Sequence, residues 1–385
     1  MNVFWIQHQI ALLIFLLVIL IITLSNIRIL RSLGDYPIPS NLPSVSVLVP
    51  ARNEEDNIAA CVCSLLEQEY PDFEVLALDD NSTDRTWQIL SELSAEHKRL
   101  RVIKGESLPP DWLGKNWACH QLAQAANGEI LLFTDADTRH HPLALRDGVA
   151  ALLARETDLL TAFPHEEVVS WGERLMVPLF PWFIISFLPL FVAYRVKSPA
   201  FSATIGQFML IRREAYDQAG GYEAIRMEAV DDVALGRNVK AHGLRWRMIN
   251  GGNRVRCRMY HSFQETYRGF TKNLFAGFGY KILKFALVWL WLGIAFLEPL
   301  VVLLVGLITG FSSLSIALAV MGILVSAMIW GASNRCFGFP LYLTFLYPVN
   351  MVLVLAIAAG SLFFALTGRA DWKGRTFAKQ EVKWW

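Results

Sequence analysis

The sequence predicts an α/β domain with a mostly parallel sheet, set between apolar segments long enough to cross a bilayer. Three observations carry this reading. Short β-rich runs alternate with helical stretches from Ser44 onward. Apolar residues gather at the N-terminus and after Phe285. Carboxylates cluster where the predicted strands end.

The β-rich runs are Val45 to Val49, Phe73 to Leu78, Leu100 to Ile103 and Ile130 to Phe133. Helical stretches lie between and after them, at Asn57 to Glu67, Thr86 to His97 and Trp117 to Ala126. A βαβα order places strands side by side and parallel, with helices on both faces. In such sheets ligands bind at the carboxyl ends of the strands.

The apolar run Ile10 to Leu24, preceded by Val3 to Ile6, is long enough to span. It has neither the basic start nor the small-residue cleavage site of a signal peptide. Arg28 and Arg31 follow it and place its C-terminal side in the cytosol. Three further spans are expected after Lys284: Phe285 to Ile308, Phe311 to Trp330 and Pro340 to Leu366. Leu175 to Val196 is apolar too, but Pro178, Pro181 and Pro189 interrupt it, which favours an interfacial or re-entrant segment. The expected layout is a spanning segment over 1–30, a catalytic domain over 44–275 with 175–196 at the interface, spans within 285–367 and a basic tail over 368–385. Three C-terminal spans leave that tail outside, whereas its Arg369, Lys373, Arg375, Lys379 and Lys383 favour the inside, which is the side preferred here.

A net charge of +1 gives no electrostatic footprint for nucleic acid. Five cysteines, an odd number without disulfide-like spacing, fit a reducing compartment. Cys61 and Cys63 lack a second pair that would complete a zinc site and read as small helix residues.

The chemistry is expected at the strand ends. The first strand runs into Pro50-Ala51-Arg52-Asn53-Glu54, the second into Asp79-Asp80-Asn81-Ser82-Thr83-Asp84, the fourth into Asp135-Ala136-Asp137. Any one of these reads equally well as a turn or helix cap. Three at one rim describe a site for a nucleotide sugar, because a divalent cation can bridge carboxylates to a diphosphate that they would otherwise repel. Of two acids one residue apart, one can face a ribose and the other the metal. Lys115, ahead of a predicted helix, is placed to meet the phosphates. Asp231-Asp232 form an adjacent acidic pair before a helical stretch from Val233 to Ala241; one of them can serve as general base, and the pair also suits a helix N-terminus. His261 reads as a structural histidine before a metal ligand. Glu298, inside an apolar block, is either a functional acid or a group at a kink facing a neighbour.

Pro50 to Glu54, Asp79 to Thr86, Gly114-Lys115, Asp135-Ala136-Asp137 and Asp231-Asp232, together with Gly206 to Arg213 and Gly220-Gly221-Tyr222, resemble glycosyltransferase family 2 over about residues 44 to 275. The resemblance implies a GT-A (Rossmann-like) fold and inversion at the anomeric carbon. It implies a nucleotide-sugar site of Pro50, Ala51, Arg52, Glu54, Asp79, Asp80, Lys115 and Asp135, with Asp80 or Asp79 at the base and Asp135 at the ribose. It puts Asp137 on Mg²⁺ or Mn²⁺ and makes Asp232 the catalytic base, with Asp231 beside it. Trp112 to Ala118 and Asp371-Trp372-Lys373-Gly374-Arg375 resemble a bacterial membrane subgroup of carotenoid and hopanoid-associated glycosyltransferases.

The implied activity is transfer of one sugar from a UDP-sugar, UDP-glucose first among them, to a membrane lipid. Carotenoids or other polyisoprenoids lead as acceptors; hopanoids, sphingolipids and diacylglycerol follow. The implied setting is the inner (cytoplasmic) membrane, multi-pass, with the catalytic domain cytosolic. The alternatives are a polysaccharide synthase, against which the missing Arg-Trp pair after Gln264 counts, and a scaffold without catalysis, which has no need of an intact acidic series.

Overall fold

The computed structural model describes residues 3–367, 371–372, 375–376 and 382–384. In chain order, α1 (Val3–Ile29) precedes β1 (Val45–Ala51), α2 (Ile58–Leu66), β2 (Phe73–Asp79), α3 (Thr86–Glu96), β3 (Leu100–Lys104), α4 (Gly114–Ala125) and β4 (Ile130–Phe133). Then come β5 (Thr138–His140), α5 (Ala144–Ala154), β6 (Leu159–Phe163), β7 (His165–Glu166), α6 (Trp171–Met176), α7 (Leu179–Phe187) and α8 (Leu190–Ala193). The series continues with β8 (Met209–Arg212), α9 (Arg213–Gln218), α10 (Asp231–Ala241), β9 (Trp246–Asn250), β10 (Val255–Cys257) and α11 (Phe263–Leu274). It closes with α12 (Ile282–Thr309), α13 (Ser313–Phe337) and α14 (Tyr347–Thr367). Two compact units result. One holds Leu30–Glu167 and Leu190–Met259; the other holds Met1–Ile29, Val168–Pro189 and Tyr260–Trp385.

The first unit is built on a seven-stranded sheet ordered β3-β2-β1-β4-β8-β6-β9. The pairs β3/β2, β2/β1, β1/β4 and β6/β9 are parallel, and β8 alone runs against its neighbours. Central strands buried on both faces need near-continuous apolar sequence. β1 and β2 supply it: Val45, Val47, Val49, Val75 and Ala77 lie in one core with Ile58, Val62 and Leu65 of α2 and Leu90 of α3. Cys61 joins this core from α2, and burial pushes its thiol up to about 12. A second, three-stranded sheet is ordered β5-β10-β7, with β5 following β4 directly in the chain.

In the second unit, α1, α12, α13 and the stretch Leu341–Thr367 are each long and apolar enough to cross a membrane. Packing is close: a Cβ on Gly322 of α13 meets Pro299 of α12 at 3.0 Å. Trp182 and Trp330 stack at 4.4 Å, and both are fully buried. The apolar stretch through Pro189 breaks into α6, α7 and α8, each too short to span. Asn26 donates to the carbonyls of Ile185 and Leu188, both at 2.7 Å, and so satisfies acceptors at the end of α7. Glu298 faces a neighbouring helix, where His8 Nε2 lies 2.9 Å from its Oε2.

One boundary differs from the sequence reading. Residues 260–275 pack with the long apolar helices and not with the sheet, because α11 lies against α14: Tyr267 Oη donates to Ala356 O at 3.5 Å, and Phe275 N to Ser361 Oγ at 3.0 Å. Arg369, Lys373 and Lys379 of the basic tail lie outside the described residues.

Candidate active site

The loops after β1 and β2 are tied to each other. Asn53 and Asn81 both take left-handed backbone, with φ of 52° and 54°, which asparagine tolerates better than most side chains. Arg52 Nη1 donates to the carbonyls of Asp80 and Asn81. Asn53 N donates to Ser82 Oγ at 3.0 Å, and Asn53 Oδ1 accepts from Thr83 N at 2.9 Å. Glu54 N donates to Thr86 Oγ1 at 2.8 Å. Asp79 and Asp80 are buried at the strand end, and the Asp79 carboxylate accepts from Ser82 N at 3.4 Å.

Asp135 and Asp137 occupy the turn between β4 and β5. Thr138 Oγ1 fixes that turn by donating to Asp135 O at 2.7 Å, and Thr134 Oγ1 donates to Gln207 O at 2.7 Å. Burial, reinforced by Asp135 and Glu54, pushes the Asp137 carboxyl up to about 7. Its Oδ1 is buried without a hydrogen-bond partner.

Helix α4 starts at Gly114, three residues earlier than the sequence suggests, because the chain is anchored before it: Leu113 N donates to Arg226 O at 2.9 Å. Lys115 therefore sits in its first turn. The Lys115 ammonium is 2.9 Å from Asp135 Oδ1 and 3.5 Å from Asp231 Oδ2, so one cation joins the two acidic motifs. Burial opposes its charge, but Asp135 and Asp231 outweigh that and hold its pKa well above the usual lysine value. The adjacent Asn116 Nδ2 donates to the carbonyls of Ile225, Arg226 and Glu228, which fastens the loop that leads to Asp231.

Helix α10 likewise starts earlier than expected, at Asp231, so both aspartates occupy its first turn, where the helix dipole favours anions. Tyr222 Oη donates to Asp231 Oδ2 at 3.2 Å. Asp232 Oδ2 accepts from Gly206 N at 2.9 Å, and Oδ1 from Val233 N at 2.7 Å. Burial and then Asp231 push the Asp232 carboxyl up to about 7, against the pull of Lys115 and the two amides. The helix comes this close because residue 236 is glycine; a Cβ there overlaps Thr204 Oγ1 at 1.9 Å.

The chain is similar to known proteins in both sequence and fold. Residues 46–220 match the family model described as glycosyl transferase family 2. The chain carries a family 2 glycosyltransferase domain. A beta-monoglucosyldiacylglycerol synthase from Nostoc sp. is 30% identical over 238 residues, which are 59% of this chain and 46% of that protein. The chain thus spans about half the length of this relative. A 4,4'-diaponeurosporenoate glycosyltransferase from Staphylococcus haemolyticus is 26% identical over 302 residues, 76% of this chain and 74% of that protein. Among solved structures, the mannosyltransferase PcManGT from Pyrobaculum calidifontis, in complex with GDP-Man and Mn²⁺, superposes with a TM-score of 0.55 at 16% identity. That match covers 92% of this chain and 98% of PcManGT and establishes the shared GT-A fold.

Within the sheet unit, Lys115, Asp135, Asp231 and Asp232 are brought into one charged group, while Arg52, Glu54, Asp79 and Asp80 form the tied loops beside β1 and β2. Pro50 and Ala51 are the last residues of β1. His261 belongs to the other unit and is exposed. Sequence reasoning missed Glu166. It is buried in β7, just beyond the β6 run Leu159 to Phe163, which the list of β-rich runs omitted. The rule that found the other acids, a carboxylate following a strand, finds Glu166 once that strand is counted.

A divalent cation fits this domain in one way. Among the described residues no three His, Cys, Asp or Glu side chains form a cage, yet Asp137 offers a buried oxygen without a partner. That suits a hard cation bound by few carboxylates and completed by substrate phosphate and water.

Proposed function

We propose that this protein transfers one sugar from a UDP-sugar, with UDP-glucose the leading donor, to a hydroxyl or carboxyl of an apolar membrane lipid. The observation that carries the proposal is Lys115 joining Asp135 to Asp231: a donor-side acid and an acceptor-side acid share one cation, and Asp232 stands next in the helix. The relatives named above carry lipids in their names, one a diacylglycerol and the other a carotenoid acid, and four helices here are long and apolar enough to reach such acceptors.

In the proposed reaction, Asp232 takes the proton of the acceptor group. The acceptor oxygen bonds to the anomeric carbon as the bond to the diphosphate breaks from the opposite side, which inverts the configuration. Asp137 would hold a divalent cation, Mg²⁺ or Mn²⁺, which would supply positive charge to the diphosphate. Lys115 keeps the neighbouring carboxylates from repelling it, and the tied loops with Asp79 and Asp80 receive the base. The domain is read as cytosolic at the inner membrane, where UDP-sugars are made.

The test incubates the purified full chain with UDP-glucose, Mn²⁺ and either a carotenoid acid or diacylglycerol in mixed micelles. A hexose mass gain on one lipid, absent in Asp137→Ala, is the expected result. Hydrolysis or no turnover with every apolar acceptor overturns the proposal.

A further inference from the structure

Two carboxylate oxygens in the catalytic unit are buried without hydrogen-bond partners: Asp137 Oδ1 and Glu166 Oε2. They belong to strands or turns of the same small sheet. Thr138 of β5 and Glu166 of β7 are both register partners of Cys257 in β10, so they lie two strand spacings apart, about 9–10 Å between Cα atoms. Asp137 directly precedes Thr138. Glu166 is 6% exposed, and of the charges that act on it Asp137 is foremost. Its other oxygen, Oε1, is clamped: Gln207 Nε2 donates to it at 2.9 Å and to Cys257 Sγ at 3.4 Å. Gln207 is in turn fixed at its carbonyl by Thr134 Oγ1. One oxygen of Glu166 is thus oriented by the protein, and the other is buried without a partner.

Leaving a buried carboxylate oxygen unpaired is costly. Two such oxygens on nearby acids are relieved together by one divalent cation. We infer that Glu166 is a second protein ligand of the cation read above on Asp137, so that the metal is held between β7 and the β4–β5 turn. The inference rests on that reading and adds a residue to it. Cys257 stands between the two acids but is no ligand: burial, Asp137 and Glu166 keep its thiol protonated.

The contrary role, a neutral acid that only donates a hydrogen bond, separates cleanly by substitution. Glu166→Gln keeps the size, can still accept from Gln207 and can donate through its amide, but is a poor ligand for a hard cation. Mn²⁺ binding to the full detergent-purified chain, with Mn²⁺ alone and with UDP, is measured by electron paramagnetic resonance. Mn²⁺ affinity is expected to fall at least about tenfold in Glu166→Gln and also in Asp137→Asn. Unchanged affinity in Glu166→Gln beside a loss in Asp137→Asn overturns the role of Glu166 and leaves the cation reading intact. Unchanged affinity in Asp137→Asn overturns both. If Glu166→Gln does not fold, Glu166→Asp serves: it keeps the charge and draws the oxygens back by one methylene. Weakened Mn²⁺ binding in that variant supports the assignment, and wild-type binding overturns it.

Discussion

Asp232 has one backbone amide on each carboxylate oxygen, and the Lys115 ammonium pairs with its neighbour Asp231. As the proposed base it acts on the acceptor, so its loss should reach the transition state and spare donor binding. Asp232→Asn is expected to lower turnover by about two to four orders of magnitude, the usual share of general-base catalysis, with UDP-sugar affinity nearly unchanged. Paired titration and lipid-product assays on one preparation check this; near-normal turnover removes Asp232 from the role. The pH profile gives a second reading. With the Asp232 pKa raised to about 7, the base is protonated and idle below that pH. Turnover at saturating donor and metal should rise as pH climbs through about 7 and level off above it. Protonation of Asp137, which is raised similarly, is read separately as weaker Mn²⁺ binding at low pH. Residue types at this scale were legible in the sequence, since acids after strands stand out. Their partners were not. That Lys115 bridges Asp135 and Asp231 depends on the first turns of α4 and α10 coming together in the fold, which spacing along the chain does not encode.

Elements set these positions through small residues. Gly236 lets α10 touch the segment around Thr204, two residues before the Gly206 amide that holds Asp232. Gly236→Ala should cost about 1–3 kcal/mol from overpacking and lower activity by shifting the helix start. Thermal unfolding together with turnover checks this, and a variant as stable and active as wild type refutes the tight contact. The first four strands and the helices between them could be read from the sequence because each is long and strongly patterned. Both α4 and α10 begin earlier than expected, for one physical reason: polar and glycine-containing first turns look like loops in sequence but are held by contacts from elsewhere, Leu113 N on Arg226 O in one case and the Asp232–Gly206 bond in the other. Of the strands after β4, β7 and β10 went unread because they are only two and three residues long and gain meaning from pairing, whereas β6 and β9, five residues each, were long enough to read and were missed.

For the molecule as a whole, the sequence left one conflict: three C-terminal spans against a tail preferring the inner side. The structure bears on it within the helical unit. Lys383 pairs with Lys281; Lys383 N donates to Tyr280 O at 2.9 Å, and Ile282 N donates to Lys383 O at 2.9 Å. Residues 382–384 therefore lie at the same end as the start of α12. In a membrane, an even number of crossings between those points is the expectation, with α14, which rests on α11 through Ala356 and Ser361, as the helix expected not to complete one. In a cysteine-free background, Gly310→Cys should label from outside intact cells, while Thr367→Cys and Lys383→Cys should label only after permeabilisation. Labelling of Thr367→Cys from outside would restore the third crossing. The same pairing has a consequence for biosynthesis. Ile282 N and Leu283 N are first-turn amides of α12 that no residue within the helix can satisfy, and their acceptors are the carbonyls of Lys383 and Trp384. α12 leaves the ribosome long before its cap is made, so its first turn is completed only when residues 382–384 fold back onto it. Deletion of 382–384 is therefore a lesion of assembly at the elbow between α11 and α12.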